Sequence, residues 1–379
     1  MNPDAFSIGP VGGGAQGSFP AVFRVLRQAI AAGAFPGCAF GVLTRDGVVL
    51  QDALGLFTDE PGAAAVLPST VFDLASVSKV VATTAAAMLL AQAGRLNLDA
   101  RLSEFLPEFA AHRAADDPAL QIRLRHLLAH SSGLPGYVEF FKTATSAQEL
   151  LLKCLSLRLE AAPGARAAYS DPGFILLGKA LESCASEPLD LWTRNNIFTP
   201  LGMASTCFNP PQEQWHTIPP TEEDRSFRRR RIQGEVQDEN AWVLGGVAGH
   251  AGVFSNVPDL LRFSAAILQA ESASPESKTS IFQPESLARF ALRQPPEGSS
   301  RALGWDTPSQ NSSAGRYFSS HSIGHLGYSG CSLWIDLDAG VAIVLLTNRT
   351  WPDRGSQLIR QVRPEFHNAL CEALDFPTR

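Results

Sequence analysis

Hydrophobic positions along this chain follow two periodicities, and the two occupy different regions. Residues 19–32 carry apolar side chains at helical spacing and stop at Gly33, which predicts a helix. Two short apolar runs follow, 38–43 and 48–50, joined by Arg45-Asp46-Gly47. Apolar runs around Asp-Gly signal a hairpin. The far end repeats the arrangement, with 331–335 and 341–346 flanking the turn 336–340. Residues 357–374 then read as a helix that Pro364 should kink or interrupt. Between these ends, over roughly 70–290, the spacing is mostly helical, at 79–93, 124–130, 147–157, 174–183 and 259–268.

The predicted architecture is α+β: an antiparallel sheet built from both termini and flanked by helices, with a mostly helical region inserted. That places one discontinuous domain over 1–70 and 295–379, and a helical one over 71–294, with a site between them. Segments 208–240 (Pro, Gln, Glu and Arg) and 270–300 (Ser, Pro and Glu) read as irregular surface. The run Arg228–Arg231 follows Glu222-Glu223-Asp224 and reads as a solvated loop.

Composition narrows the functional classes. The 379 residues are 45% hydrophobic and 18% charged, with a net charge of −6, as in an ordinary globular protein with no polyanion-binding field. No basic stripe with interleaved aromatics points to nucleic acid. Six cysteines without CxxC spacing argue against a zinc ribbon or a dithiol redox site, and free thiols are expected. The N-terminus lacks a basic, then apolar, leader pattern, so a cytoplasmic location is expected, or a periplasmic one if a signal was trimmed. The apolar stretch near 80–90 is shorter than a membrane span needs, and none is expected.

One residue breaks the pattern. Lys79 lies at the start of a helix that is otherwise small and apolar. A buried lysine is costly unless paired or neutral, and a cation at a helix N-terminus opposes the macrodipole. Either the amine reaches water, or it is a base whose pKa is lowered. Of the five lysines, only Lys79 has a serine three residues upstream, Ser76. Spacing of three puts both on one helix face, and backbone N–H groups there can stabilise an anion. A serine nucleophile with a lysine base fits. The alternative nucleophile elbow, Gly-x-Ser-x-Gly, is absent, since Gly327-Tyr328-Ser329-Gly330-Cys331 fails at its last position.

Two further stretches matter. Tyr169-Ser170-Asp171 precedes a helix, where the tyrosine is either a second acid/base or an ordinary turn residue beside a cap. Gly324-His325-Leu326-Gly327 is a glycine-rich strand, marking either a bulge or close approach of a ligand. Ser76-Val77-Ser78-Lys79, Tyr169-Ser170-Asp171 and His325-Leu326-Gly327 stand in the order found in penicillin-recognising serine hydrolases. The chain resembles the branch holding class C β-lactamases, D-alanyl-D-alanine peptidases and related esterases. Flanking segments such as "VFDLASVSKV", "IRLRHLLAHSSGLPGY" and "GGVAGHAGVFS" look like that branch too, and the likeness runs over about 19–370.

The resemblance implies an acyl-enzyme mechanism without a cofactor or metal. Ser76 would attack the carbonyl, Lys79 would take or relay its proton, and Tyr169 would carry protons to the leaving group and from water. Backbone N–H groups of Ser76 and Tyr328 would form the oxyanion hole. Asp171 would line the acyl side of the pocket, with His325 and Gly327 on the edge strand. His250 in its glycine-rich turn and Trp305 are further pocket candidates. Two departures stand out: Leu326 where lactam-binding relatives carry threonine, and Asp171 where asparagine is usual. Partial charge on His325 also weakens anion binding. These features point toward an esterase on small uncharged esters. The alternatives are a β-lactamase or D-alanyl-D-alanine carboxypeptidase of the same mechanism, or a catalytically silent binding or assembly protein. His126 and His130, four apart, read as packing rather than metal ligands, and Asp238 and Glu239 as loop-ordering residues without chemistry.

Overall fold

This computed structural model describes residues 15–111, 113–273 and 280–376. The N-terminal stretch read for a leader lies mostly outside them, as do residues 274–279 of the Ser/Pro-rich segment.

Five strands form the main sheet, in the order β2-β1-β10-β9-β8, with every neighbouring pair antiparallel. β1 (Gly37–Thr44) and β2 (Gly47–Gly55) are the N-terminal hairpin. β8 (Ser322–Leu326), β9 (Ser332–Asp336) and β10 (Val341–Thr347) come from the other end of the chain. β1 and β10 pair along their length, from Cys38 with Thr347 to Thr44 with Val341, which closes the sheet across the termini. Both strands are buried almost throughout, so they read as continuous apolar runs rather than alternating ones.

Helices cover both faces. α1 (Pro20–Ala31) and the C-terminal helix α5 (Ile359–Ala373) pack together on one face, where Phe23, Phe40, Trp334 and Phe366 share a core. α4 (Val257–Ser272) lies against β1 and β10 on the other. A Cβ on Gly41 would sit 2.5 Å from the Val257 side chain, so glycine there permits the approach. α5 runs through Pro364 without interruption, so of the expected kink or interruption the second does not occur. Proline removes one hydrogen bond to the preceding turn, but Val362, Arg363, Phe366, His367 and Leu370 are buried around it, and that packing holds the helix.

The middle of the chain is helical as expected, including α2 (Ala75–Gln92) and α3 (Asp171–Ala185), with short strands added. α2 is long and apolar enough to cross a bilayer, yet 78% of it is buried inside the protein, as a core helix. β3 (Phe72–Asp73), β4 (Cys207–Phe208) and β7 (Val253–Ser255) form a small sheet in the order β3-β7-β4.

Segment 208–240 is not irregular surface. It holds a hairpin, β5 (Glu222–Asp224) with β6 (Arg230–Ile232), and Ile218, Ile232 and Val236 are buried. Its strands are short and charged, so hydropathy hides them. The buried Glu222 carboxylate is met by both arms of Arg354, at 2.6 and 2.7 Å. Nor is the arginine run simply solvated: Arg228 is buried beside Asp224, while Arg230 and Arg231 pair with Glu235, Glu223 and Glu60. Segment 270–300 likewise contains a helix, Pro284–Ala291. α3 begins three residues earlier than its apolar pattern, at Asp171, because Ser170 caps it by accepting the Gly173 N–H at 3.1 Å.

Candidate active site

Ser76 opens α2, and its backbone is set by the residues before it. Ala75 has φ +47°, a left-handed conformation that costs a residue with a β-carbon about 1–3 kcal/mol. The buried Asp73 holds this turn: one carboxylate oxygen accepts the Ala75 N–H at 2.8 Å, the other the Gln237 N–H at 2.7 Å. Burial pushes the Asp73 carboxyl up to about 6 against those hydrogen bonds. Ser78, Lys79 and Thr83 of α2 face β7 and the loop before it. Ser78 Oγ accepts the Val253 N–H at 3.0 Å, and Thr83 Oγ1 donates to the Gly249 carbonyl at 2.7 Å.

Lys79 is fully buried; its ammonium donates to Ser76 Oγ at 3.0 Å and to the His250 carbonyl at 2.9 Å, and it forms an ion pair with Asp171 Oδ1 at 2.7 Å. Burial alone pushes the amine down, but Asp171 and Tyr169 outweigh it and hold Lys79 above the ordinary lysine value. The expectation of a lowered pKa is therefore reversed. The cause is the carboxylate at 171, where an amide would have left the amine uncompensated.

Tyr169 OH donates to Ser76 Oγ at 2.8 Å. Burial, opposed by Lys79 and reinforced by Asp171, raises the phenol above its usual value, so it is neutral. The ring rests between two histidines, with His130 at 4.6 Å and His325 at 6.0 Å between centroids. His130 Nδ1 accepts the Ser170 N–H at 3.0 Å, which ties the loop beneath the tyrosine. Burial, then the charge of Arg301 for His130 and of Lys79 for His325, holds both imidazoles well below the usual range, so both are neutral.

Ser76, Tyr169 and Asp171 line a cleft of about 750 Å³ together with Leu326, Gly327 and Tyr328. A Cβ on Gly327 would collide with the Leu74 carbonyl oxygen, so glycine lets the end of β8 lie against the turn before Ser76. Three expected pocket residues are placed elsewhere. Strand alternation turns Leu326 to the cleft and His325 away from it, where the ring is buried and Nδ1 faces the Leu326 carbonyl at 2.9 Å. His325 is also neutral rather than partly charged. Trp305 is a core residue, packed at 6.4 Å from Phe263 of α4. The His250 ring is buried behind the wall, but its carbonyl holds Lys79 and its Nε2 meets Asp238 Oδ1 at 2.8 Å.

Asp238 was expected to do no more than order its loop, yet it lines the cleft, as do Glu239, Arg349, Arg354, Arg360 and Arg363. Burial raises the Asp238 carboxyl, but His250 and the Ala241 N–H prevail and bring it to about 2. His126 Nδ1 accepts the Arg123 N–H at 3.1 Å, a local cap.

A serine whose oxygen touches both an amine and a phenol, in a cleft between a helical region and an antiparallel sheet, defines the class of Ser-x-x-Lys acyl-transfer hydrolases. The chain belongs to the beta-lactamase family, whose model matches residues 22–364, and it is a serine hydrolase of that superfamily. It is 29% identical to the N-acetylmuramyl-L-alanine amidase of Bacillus subtilis, over 94% of this chain and 85% of the relative. It is 28% identical to a putative D-alanyl-D-alanine carboxypeptidase of Salmonella agona, over 83% and 79%. Among solved structures, EstCE1, a hydrolase with promiscuous acyltransferase activity, superposes with TM-score 0.71 at 22% identity, over 92% of this chain and 99% of that one. A penicillin-binding protein homologue from Caulobacter crescentus gives TM-score 0.74 at 17% identity, over 94% and 97%, a likeness of fold.

Proposed function

We propose that Ser76 is the acylated nucleophile and that Lys79 and Tyr169 move its protons. The observation that carries this is the pair of contacts on Ser76 Oγ, from Lys79 Nζ at 3.0 Å and Tyr169 OH at 2.8 Å. The resting ammonium first loses a proton to solvent. The neutral amine then takes the Ser76 proton as Oγ bonds to the substrate carbonyl carbon. Tyr169 gives its proton to the leaving group and regains one from Lys79, leaving the amine neutral. In deacylation, water passes a proton through Tyr169 to Lys79, and Lys79 returns it to Ser76 Oγ as the acyl bond breaks. N–H groups of Ser76 and Tyr328 serve as the oxyanion hole.

For the substrate, the cleft supports a peptide-sized amide or ester bearing a carboxylate, of the cell-wall type named for the curated relatives. Arg360 lines the cleft, is exposed, and has no ion pair among the described residues, so its charge is available to a ligand. A second reading, small uncharged esters, is favoured by Leu326 in the cleft and by the neutral His325. A panel of D-alanyl-D-alanine peptides, muramyl peptides, cephalosporins and nitrophenyl esters, run with wild type and Arg360→Ala, separates them. The first reading expects peptide turnover that Arg360→Ala weakens while ester turnover stays. Ester turnover alone, indifferent to Arg360, supports the second.

A further inference from the structure

The turn Gly327–Cys331 follows β8 and carries Tyr328. Its carbonyls are held by two arginines from beyond β10. Arg349 Nε donates to the Tyr328 carbonyl at 2.7 Å, and the Arg349 backbone N–H to the Ser329 carbonyl at 2.9 Å. Arg363, on α5, holds the other three. Its Nη2 donates to Gly327 O at 2.6 Å and to Cys331 O at 2.8 Å, and its Nε to Gly330 O at 3.2 Å.

The first of these contacts has a geometric consequence. The Gly327 carbonyl and the Tyr328 N–H belong to one planar trans peptide, so they point in opposite directions. Anchoring the carbonyl on Arg363 fixes the plane and aims the N–H the other way. The same contact polarises the amide, which makes the N–H a stronger donor. The guanidinium is a rigid fork, so three carbonyls together fix it as firmly as it fixes them.

Charge supports the same conclusion. Arg363 is 6% exposed and lines the cleft, and no carboxylate pairs with it among the described residues. Burial pushes it down only to about 10, so it stays cationic near neutral pH. A buried cation without a counter-ion is costly, and surface packing would not require one.

We propose that Arg363 is a positioning residue for the oxyanion hole: it sets the Gly327–Tyr328 peptide plane, and its uncompensated charge favours the anion that develops on the cleft side of that peptide. Negative charge appears there only as the tetrahedral intermediate forms, so the benefit falls on the transition state rather than on bound substrate.

The test compares Arg363→Lys and Arg363→Gln with wild type on a nitrophenyl ester, with active sites counted by fluorophosphonate titration. Folded sites, not total protein, are thereby measured. Arg363→Gln is expected to lower kcat per titrated site roughly tenfold to a hundredfold, less than loss of a whole oxyanion donor, with KM little changed. Affinity for a boronic acid, which forms a tetrahedral anion on serine, falls by a similar factor, while binding of the uncharged primary amide of the product acid does not. Arg363→Lys keeps the charge without the fork and recovers part of the loss. If Arg363→Gln does not fold, the lysine variant decides through the same boronate-to-amide comparison. Values of kcat and boronate affinity within about twofold of wild type overturn the proposal, as do losses matched by equally weaker binding of the uncharged amide. The inference rests on Ser76 being the nucleophile. Absence of fluorophosphonate labelling in wild type would defeat that reading, whereas labelled variants with unchanged kcat defeat this one alone.

Discussion

The two sides of Ser76 are built on opposite principles. On one side, carboxylates meet nitrogen groups: Lys79 lies 2.7 Å from Asp171, and the Asp238 carboxylate meets the His250 ring at 2.8 Å. On the other, the turn Gly327–Cys331 is held by arginine side chains that reach backbone carbonyls, with no carboxylate on Arg363 among the described residues. On the proposed mechanism the first side handles protons, and the second handles geometry and developing negative charge, with a guanidinium that stays charged near neutral pH. Asp171 does more than adjust binding: it keeps Lys79 an ammonium in the resting enzyme.

The largest expected effect breaks the proton side outright. Lys79→Ala should lower acylation by about 10²-fold or more, the lower range for a positioned base, read by stopped-flow release of nitrophenol. Near-wild-type acylation would remove Lys79 from the mechanism. Asp171→Asn is the subtler probe. Only the neutral amine can take the Ser76 proton, so kcat/KM should climb with pH through the neutral range. Asp171 raises the Lys79 pKa, so the asparagine variant must move the acid limb to lower pH. A limb that stays in place, or moves up, contradicts the charge pairing, and the same substitution should leave boronate affinity at fixed Lys79 charge nearly unchanged.

The smallest effect belongs to the oxyanion side. Leu326→Thr supplies the hydroxyl missing from β8, a hydrogen bond worth about 1 kcal/mol, so acylation by a cephalosporin should rise about fivefold relative to an ester. An unchanged ratio would show that Leu326 does not set lactam recognition.

These sides also differ in how far the sequence discloses them. The sheet from both termini was legible because β1 and β10 are continuous apolar runs beside turn residues. Ser76, Lys79 and Tyr169 were legible because the lysine sits in an apolar helix and two short motifs stand in order. The sign of the Lys79 shift was not, since it depends on an ion pair to a residue 92 positions away that sequence order does not bring near. The side of β8 that His325 occupies follows from register, which a glycine-rich pattern does not give. Arg349 and Arg363 left no local signal: both act on backbone carbonyls remote in sequence, and Arg363 reads as one more charge on a surface helix. Hairpin β5–β6 was missed for a related reason, because its buried carboxylates are compensated by Arg354 from the C-terminal part of the chain.

The central claim is that Ser76 forms the covalent acyl intermediate. Intact-mass spectrometry after exposure to a serine-reactive phosphonate tests it most directly, with wild type and Ser76→Ala side by side. The account predicts one adduct per chain in wild type, mapped to the peptide containing Ser76, and none in the variant. An adduct that survives Ser76→Ala, or no adduct on folded wild type, would contradict it.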